Sequence, residues 1–284
     1  MRVKAYAKLN LALDILSVHE DGMHELDMLM QSISLADVLS FKCSDRIEVR
    51  CDNMKLDGNN TVKRAAKLFF HTLGIRGGIQ IILEKYIPAQ AGLGGGSSDA
   101  AATLLALNHL YEAGFTAQEL REIGVTIGAD VPFFIGGGCA RARGIGEKLV
   151  RINNRCRFYY LLVKPRKGVP TALAYQKYDK CTKGGRADMD AAEAALRSGD
   201  DETYFDTAKN VLQAPGIEIC PEVGDILARC SSRGADFAMM TGSGSCVFAV
   251  FRDESIREYA YRKFIKEYPF CKRAENVEMG IEVL

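Results

Sequence analysis

At 284 residues the chain exceeds the length at which a single core usually stops growing, so one large or two modest domains are expected. Hydrophobic residues make up 48% and charged residues 26%, a globular balance that argues against disorder. The net charge of +1 supplies no general field for nucleic acid or an anionic membrane, so neither is expected as a partner, and no motif speaks to oligomeric state.

The first segment alternates. Val3, Ala5, Ala7, Leu9, Leu11, Leu13 and Ile15 interleave with Lys4, Tyr6, Lys8, Asn10 and Asp14. A period of two predicts a half-buried strand with one greasy face, and it puts Lys8 and Asn10 together on the other. Asp21–Gly22 reads as a turn, residues 26–39 as a mixed apolar stretch and 47–49 as a short strand. Val62, Ala65, Ala66, Phe69 and Leu73 follow helical spacing, with Gly74 just past the end as the stop. Residues 79–83 read as a strand, and Pro88 interrupts regular structure beyond it. A glycine and serine run then leads into a helix over 100–111. Thr116 and Glu119 form a capping-box pattern that opens the next helix, closed near Gly128. Pro132 biases Val131 toward extended backbone, which predicts that Asp130 lies at a helix-to-strand junction. Gly136–Gly138 turn the chain into another strand.

A boundary near residue 150 divides the chain into parts 1–150 and 151–284. The basic cluster 151–157 reads as a solvated loop between strands. Strands over 158–163, 236–240 and 246–251 alternate with helices over 188–196, 204–212 and 222–231, and Asp253 caps a last helix running toward Tyr268. This order suggests an α+β arrangement with helices on one face of a sheet. The nine cysteines (Cys43, Cys51, Cys139, Cys156, Cys181, Cys220, Cys230, Cys246 and Cys271) show no Cys-x-x-Cys pair, and read as free thiols in a reducing cytosol. Neither an apolar signal core nor a run long enough to span a bilayer is read, so the cytoplasm is the expected location. The four histidines are too dispersed to suggest zinc.

Chemistry concentrates at Ala91, Gly92, Leu93, Gly94, Gly95, Gly96, Ser97, Ser98 and Asp99. Glycines bring backbone N–H groups close to a ligand, and the following helix start adds unpaired N–H groups and partial positive charge. The pair makes an anion site, with polyphosphate as the usual occupant. The hydroxyls of Ser97 and Ser98 are candidates for phosphate oxygens or a magnesium ion. No Gly-x-x-x-x-Gly-Lys-[Ser/Thr] loop, no protein-kinase motif set and no dinucleotide fingerprint in its proper setting is present.

Pro88-x-x-Ala-Gly-Leu-Gly-Gly-Gly-Ser-Ser-Asp-Ala resembles the phosphate loop of the GHMP kinases (galactokinase, homoserine, mevalonate and phosphomevalonate kinases). Thr241-Gly-Ser-Gly-Ser-Cys is similar to that family's C-terminal glycine motif, and Ala7-Lys-Leu-Asn-Leu to its N-terminal one. Three motifs in the family's order carry the resemblance. It implies a two-domain α+β GHMP kinase fold with ATP and substrate in the cleft between domains, and Mg²⁺ accompanying the nucleotide. It implies Lys8 and Asp130 as catalytic residues, Asp130 as general base and Lys8 beside it to stabilise charge on the transferring phosphoryl group. Pro88 and Ala91 through Ser98 become the ATP-binding set, with Ser97 or Ser98 toward the metal.

Ala7-Lys8-Leu9-Asn10, Asp21-Gly22-x-His24, the triple glycine and Gly128-Ala129-Asp130-Val131-Pro132 narrow the likeness to a non-mevalonate isoprenoid branch of the family. Its acceptor is the 2-hydroxyl of a cytidine-diphosphate-linked methylerythritol. The likeness sets Asn10 near the reacting hydroxyl, His24 against the cytosine edge, Met23 beside it, and Thr171 and Tyr175 in a second substrate segment. Met23 departs from the Gly-Tyr-His usual in that branch. Two alternatives stay open, another small alcohol or phosphate as acceptor, and a non-catalytic GHMP-fold binding protein.

Overall fold

The structure, a computed structural model, describes all residues except Asp21, Asp52, Lys55 and residues 181–184; the turn read at Asp21 and the thiol of Cys181 lie outside the described residues. The chain opens with β1 (Arg2–Val18), β2 (His24–Ser44), β3 (Glu48–Cys51), α1 (Thr61–Leu73) and β4 (Gly78–Glu84). It continues through α2 (Gly95–Leu110), α3 (Ala117–Val125), α4 (Val131–Gly136), β5 (Cys139–Gly144) and β6 (Lys148–Ile152). Next come β7 (Tyr159–Lys164), α5 (Thr171–Lys180), α6 (Met189–Ser198), α7 (Asp201–Thr207), α8 (Gln213–Ile219) and α9 (Glu222–Ser232). It closes with β8 (Phe237–Met240), β9 (Val247–Phe251), α10 (Glu254–Phe264), β10 (Phe270–Ala274) and β11 (Ile281–Val283).

Among the described residues, seven strands build the first sheet, with β2 as its spine. One edge of β2 pairs with β1 along almost its whole length. The other edge takes β5 against residues 26–31 and β4 against residues 38–44. β11 returns from the far end of the chain to pair with β1, Val3 facing Val283. The second sheet runs β10-β7-β9-β8, antiparallel throughout.

The first strand differs from the half-buried strand expected: Lys8 is 4% exposed and Asn10 fully buried. Both of its faces are covered because the second sheet packs on it as well. Ala7, Leu9 and Leu11 join Tyr160, Leu162 and Phe248 in one core, while Val3, Ala5, Leu13 and Ile15 join α1 and α2 in the other. Register shifts between Tyr6 and Ala7 and between Asn10 and Ala12 bracket Lys8 and Asn10. Bulges of this kind re-aim side chains next to a functional site.

Other local readings change for identifiable reasons. The mixed stretch 26–39 belongs to one 21-residue strand, whose residues 26–33 are buried on both faces and therefore lack alternation. The helix placed at 100–111 begins inside the glycine run at Gly95. Pro132 does not extend the chain; it stands in the first turn of α4, where its missing N–H has no intrahelical partner to lose, so Asp130 joins two helical segments. Of the helix read over 204–212 only residues 204–207 are helical, at the end of α7, and α8 starts beyond it at Gln213. Between them the backbone pairs with β1, Leu13 N donating to Lys209 O at 2.8 Å and Val211 N to Leu13 O at 3.1 Å. α5, α8, β6, β10 and β11 have no counterpart in the sequence pattern; the cluster 151–157 taken for a solvated loop begins inside β6 and buries Ile152 and Cys156, and α10 stops at Phe264, short of Tyr268. The Thr116–Glu119 capping box and the Gly74 stop form as read. Among the described residues no helix is long and apolar enough to cross a membrane.

Arg141 of β5 ties the halves together. Its guanidinium donates to both carboxylate oxygens of Asp27 on β2 (2.8 and 2.6 Å) and reaches Asp190 and Glu193 of α6 (2.6 and 2.9 Å). Removing it leaves the buried Asp27 carboxylate with only the longer contact to Arg143 Nε at 3.4 Å, so Arg141→Met is expected to cost about 3 kcal/mol. A lower urea midpoint checks this, and adding Asp27→Asn to the same chain is expected to recover part of the loss.

Candidate active site

The seam between the sheets holds an open cavity of about 500 Å³. Lys8 and Asn10 come to it from β1, Asp130 from the start of α4, and Thr171 and Tyr175 from α5. Pro88 and residues 91–97 form one wall, and Gly242 and Ser243 another. Residues singled out in distant parts of the sequence are thus brought together in one place.

The glycine wall is shaped by contact. Gly92 has φ +73°, and a Cβ there would lie 2.0 Å from the carbonyl oxygen of Thr241. Gly94, the N-cap of α2, has φ +71°, and its Cβ would meet the Phe134 ring at 2.6 Å. Both positions therefore demand glycine, for backbone conformation and for space. The N–H groups of Ser97 and Ser98 close onto Gly94 O (3.0 and 2.9 Å), while helix geometry leaves the first N–H groups of α2 unpaired toward the cavity. Lys8 N donates to Leu93 O at 3.0 Å, fastening the loop to β1.

Lys8 Nζ lies 3.6 Å from Asp130 Oδ2 and donates to Asn10 Oδ1. The Lys8 side chain is 5% exposed and that of Asp130 29%, so the carboxylate reaches the cavity while the ammonium is enclosed. Asn10 is fixed further, its N–H donating to Thr241 Oγ1 at 2.9 Å. Burial, and then the negative charge of Asp130, push the Tyr175 phenol up from its ordinary range. Thr171 Oγ1 stands 3.0 Å from Ser243 Oγ, linking α5 to the C-terminal glycine motif.

Two expected site residues are placed elsewhere. Ser98 is fully buried and its hydroxyl donates to Tyr6 O at 2.7 Å, which removes it from phosphate and metal; the helix starts before Ser98, and its side chain turns inward. Met23 is 45% exposed and does not line the cavity, because it falls in the β1–β2 connection where its carbonyl accepts from His19 N. His24 stands between these cases. It is not a lining residue, but its ring lies 4.6 Å from that of Tyr175.

Other residues of the site carried no assigned role. Gly242, Ser243, Gln90 and Thr61 line the cavity. Asn210 donates to Met240 O at 2.6 Å and to Gly242 O at 2.8 Å, bracing the C-terminal motif; its signal in the sequence was hidden inside an apparent helix. Lys85 donates to Asp37 and to Asp99 (2.7 Å for the latter), an ion triad under the first turns of α2. Burial opposes the Lys85 charge, but the carboxylates of Asp99 and Asp37 outweigh it and the ammonium is raised. Residues this far apart in the chain leave no spacing signal.

A glycine loop feeding a helix start, beside an enclosed lysine and a reachable carboxylate, defines a phosphoryl-transfer site. The pattern described as GHMP kinases N terminal domain matches residues 60–138, and the one described as GHMP kinases C terminal matches residues 188–269. The chain belongs to the GHMP kinase family. It is 40% identical over 271 residues to 4-diphosphocytidyl-2-C-methyl-D-erythritol kinase of Clostridium tetani, covering 94% of this chain and 97% of that protein. It is 41% identical over 281 residues to the Bacillus cereus protein of the same name, covering 98% and 96%. A crystal structure of 4-(cytidine 5'-diphospho)-2C-methyl-D-erythritol kinase superposes with TM-score 0.82 at 33% identity, over 97% of this chain and 99% of that one.

Gly92→Ala is expected to lose about 2 kcal/mol of stability, since both its φ and its contact with Thr241 O are incompatible with a side chain. Gly96→Ala, whose added carbon would meet Thr61 Oγ1 at 3.3 Å, is expected to lose much less. Thermal unfolding of the two variants side by side checks the difference.

Proposed function

We propose that this protein transfers the γ-phosphoryl group of ATP to the 2-hydroxyl of 4-diphosphocytidyl-2-C-methyl-D-erythritol, a step of isoprenoid precursor synthesis by the non-mevalonate route. The observation that carries this reading is the Lys8–Asp130 pair, 3.6 Å apart, in the same cavity as the start of α2. The activity for which the relatives are named supplies the acceptor.

The unpaired N–H groups at the start of α2 and the positive end of its dipole suit the phosphates of ATP. Asp130 acts as the base, orienting the acceptor hydroxyl and taking its proton as the phosphoryl group departs the nucleotide. Lys8 holds the carboxylate in place and stabilises charge on the transferring group. Asn10, fixed between Lys8 and Thr241, is poised to contact the same hydroxyl. On the acceptor side Thr171 and Tyr175 give a hydroxyl and a ring, with His24 behind the ring.

Mg²⁺ fits this donor set. Ser97 is the hydroxyl at the helix start that lines the cavity, and Mg²⁺ paired with phosphates keeps much of its water and needs few protein ligands. Bound there, the ion would neutralise charge on the β,γ-phosphates. Among the described residues no cluster of three or more His, Cys, Asp or Glu offers a separate metal site.

Asp130→Asn is expected to lower turnover about a thousandfold, with affinity for ATP within about threefold of the parent. Steady-state kinetics with nucleotide titration checks both numbers, and near-normal turnover would remove Asp130 from the base role. The reading as a whole is tested by coupled ADP release with the cytidylated methylerythritol, against a no-acceptor control and against mevalonate and homoserine. Release with the cytidylated compound alone is expected. Release with one of the other alcohols instead would reassign the acceptor.

A further inference from the structure

Gln90 stands in the cavity wall just ahead of the glycine loop, with Pro88, Ala89 and Ala91 beside it. Among the described residues it is one of two non-glycine positions with positive φ, at +49°. The other, Glu112, is exposed just past the end of α2. The left-handed turn at Gln90 serves the backbone. Gln90 O accepts from Ser245 N and Ala91 O from Cys246 N, both at 3.3 Å. Glycine would make that turn with less strain, so these contacts do not account for a glutamine.

The side chain remains to be explained. It runs over Gly168, where an added Cβ would lie 2.6 Å from Gln90 Cβ and 2.5 Å from Oε1. With Oε1 against Gly168, Nε2 is turned the other way, and among the described residues the amide makes no hydrogen bond. Gly168 leads through Val169 and Pro170 into α5 at Thr171, whose hydroxyl stands 3.0 Å from Ser243 Oγ. Ser245 Oγ donates to Lys167 O at 2.7 Å and closes the junction. Gln90, Thr171 and Ser243 therefore line the cavity where the glycine loop, α5 and the C-terminal glycine motif meet.

Charge in this wall is scarce. Among the described lining residues Lys8 is the one cation and Asp130 the one anion, and each answers the other. The cytidylated acceptor carries a diphosphate between its base and its polyol. With the reacting hydroxyl at Asp130, no arginine and no second lysine of the wall meets that group. Neutral donors do: the Gln90 amide and the hydroxyls of Thr171 and Ser243.

We infer that Gln90 is a substrate-binding residue: its side-chain amide donates to a non-bridging oxygen of the acceptor's diphosphate, so that this group is recognised by neutral hydrogen bonds. The inference rests on the cytidylated acceptor proposed above. An N–H gains more from a charged phosphate oxygen than from a neutral partner. Unlike a lysine in the same place, the amide adds no charge to compete for Asp130 or for the phosphates of ATP.

The test titrates cytidine diphosphate, and separately cytidine, into the parent, Gln90→Gly and Gln90→Glu, with the nucleotide site filled by a non-hydrolysable ATP analogue. Gln90→Gly suits the turn, so it is expected to keep at least the parent's thermal midpoint yet bind cytidine diphosphate about tenfold more weakly. Gln90→Glu sets a carboxylate against the phosphates, and a loss of about a hundredfold is expected. Cytidine is expected to bind all three alike. In steady-state kinetics KM for the cytidylated acceptor is expected to rise in the same order, with KM for ATP unchanged. Affinity for cytidine diphosphate within about twofold of the parent in both variants overturns the inference, as does an equal loss for cytidine. A rise in KM for ATP alone also overturns it, since the amide would then serve the nucleotide. Failure of the parent to bind cytidine diphosphate while still binding the ATP analogue would instead strike the proposed acceptor, and the role of Gln90 would fall with it.

Discussion

The ammonium of Lys8 is enclosed by protein, and a charge in that position persists only where its hydrogens and its field are answered. Asn10 Oδ1 takes one hydrogen and Asp130 answers the charge. Much of the surrounding architecture stems from housing that group. β1 shifts register on both sides of it, the glycine loop is fastened to its backbone through Leu93, and Gly94 has no room for a side chain beside Phe134 and the Lys8 stem. The helix start that suits phosphate and the carboxylate that suits a hydroxyl are therefore oriented by one buried lysine.

The C-terminal half contributes the α5 side chains Thr171 and Tyr175 and a glycine motif packed closely against the N-terminal loop. Thr241 O presses on Gly92, Thr241 Oγ1 accepts from Asn10 N, and Asn210 clamps the turn from behind through Met240 O and Gly242 O. Ser243 adds a hydroxyl that meets Thr171. A motif rich in glycine and serine suits this work, since close approach of two chains matters more there than side-chain bulk. The Arg141 cluster on the opposite side of β2 holds the same two halves together with charge instead.

Local patterns in the sequence were a good guide to elements whose cause is local. The Gly74 stop, the Thr116–Glu119 capping box and the apolar alternation of β1 each depend on a few neighbouring residues. Readings failed where a distant partner decides the outcome. The first part of β2 lacks alternation because both of its faces are covered, and residues 208–212 leave the helix to pair with β1 at Asn210. Pro132 shows a different failure, a residue whose two preferences, breaking a helix and beginning one, are separated only by what precedes it. Within the site, Lys8, Asn10, Asp130, Thr171 and Tyr175 were legible through the family resemblance, and the cavity gathers all five. Ser98 was misjudged because the register of a helix start decides which of two adjacent serines turns inward. The Lys85–Asp37–Asp99 triad and the Asp179–His24 contact join residues with no sequence spacing to announce them.

One strand spans both ends of this chemistry. The leading residues of β2 carry Leu26 and Met28 into the cavity wall, and its trailing residues pair with β4, whose end delivers Lys85 beneath α2. Because side chains alternate along a strand, inserting or deleting a single residue in β2 would turn every later side chain to the opposite face. The two parts of the cavity wall are thus held on one ruler, interrupted where β2 carries extra residues between Ile33 and Ala36 opposite the Tyr6–Ala7 step of β1. A change of length inside β2 therefore leaves the far end in place only where such a bulge absorbs it, and otherwise belongs in the connections beyond the strand's two ends.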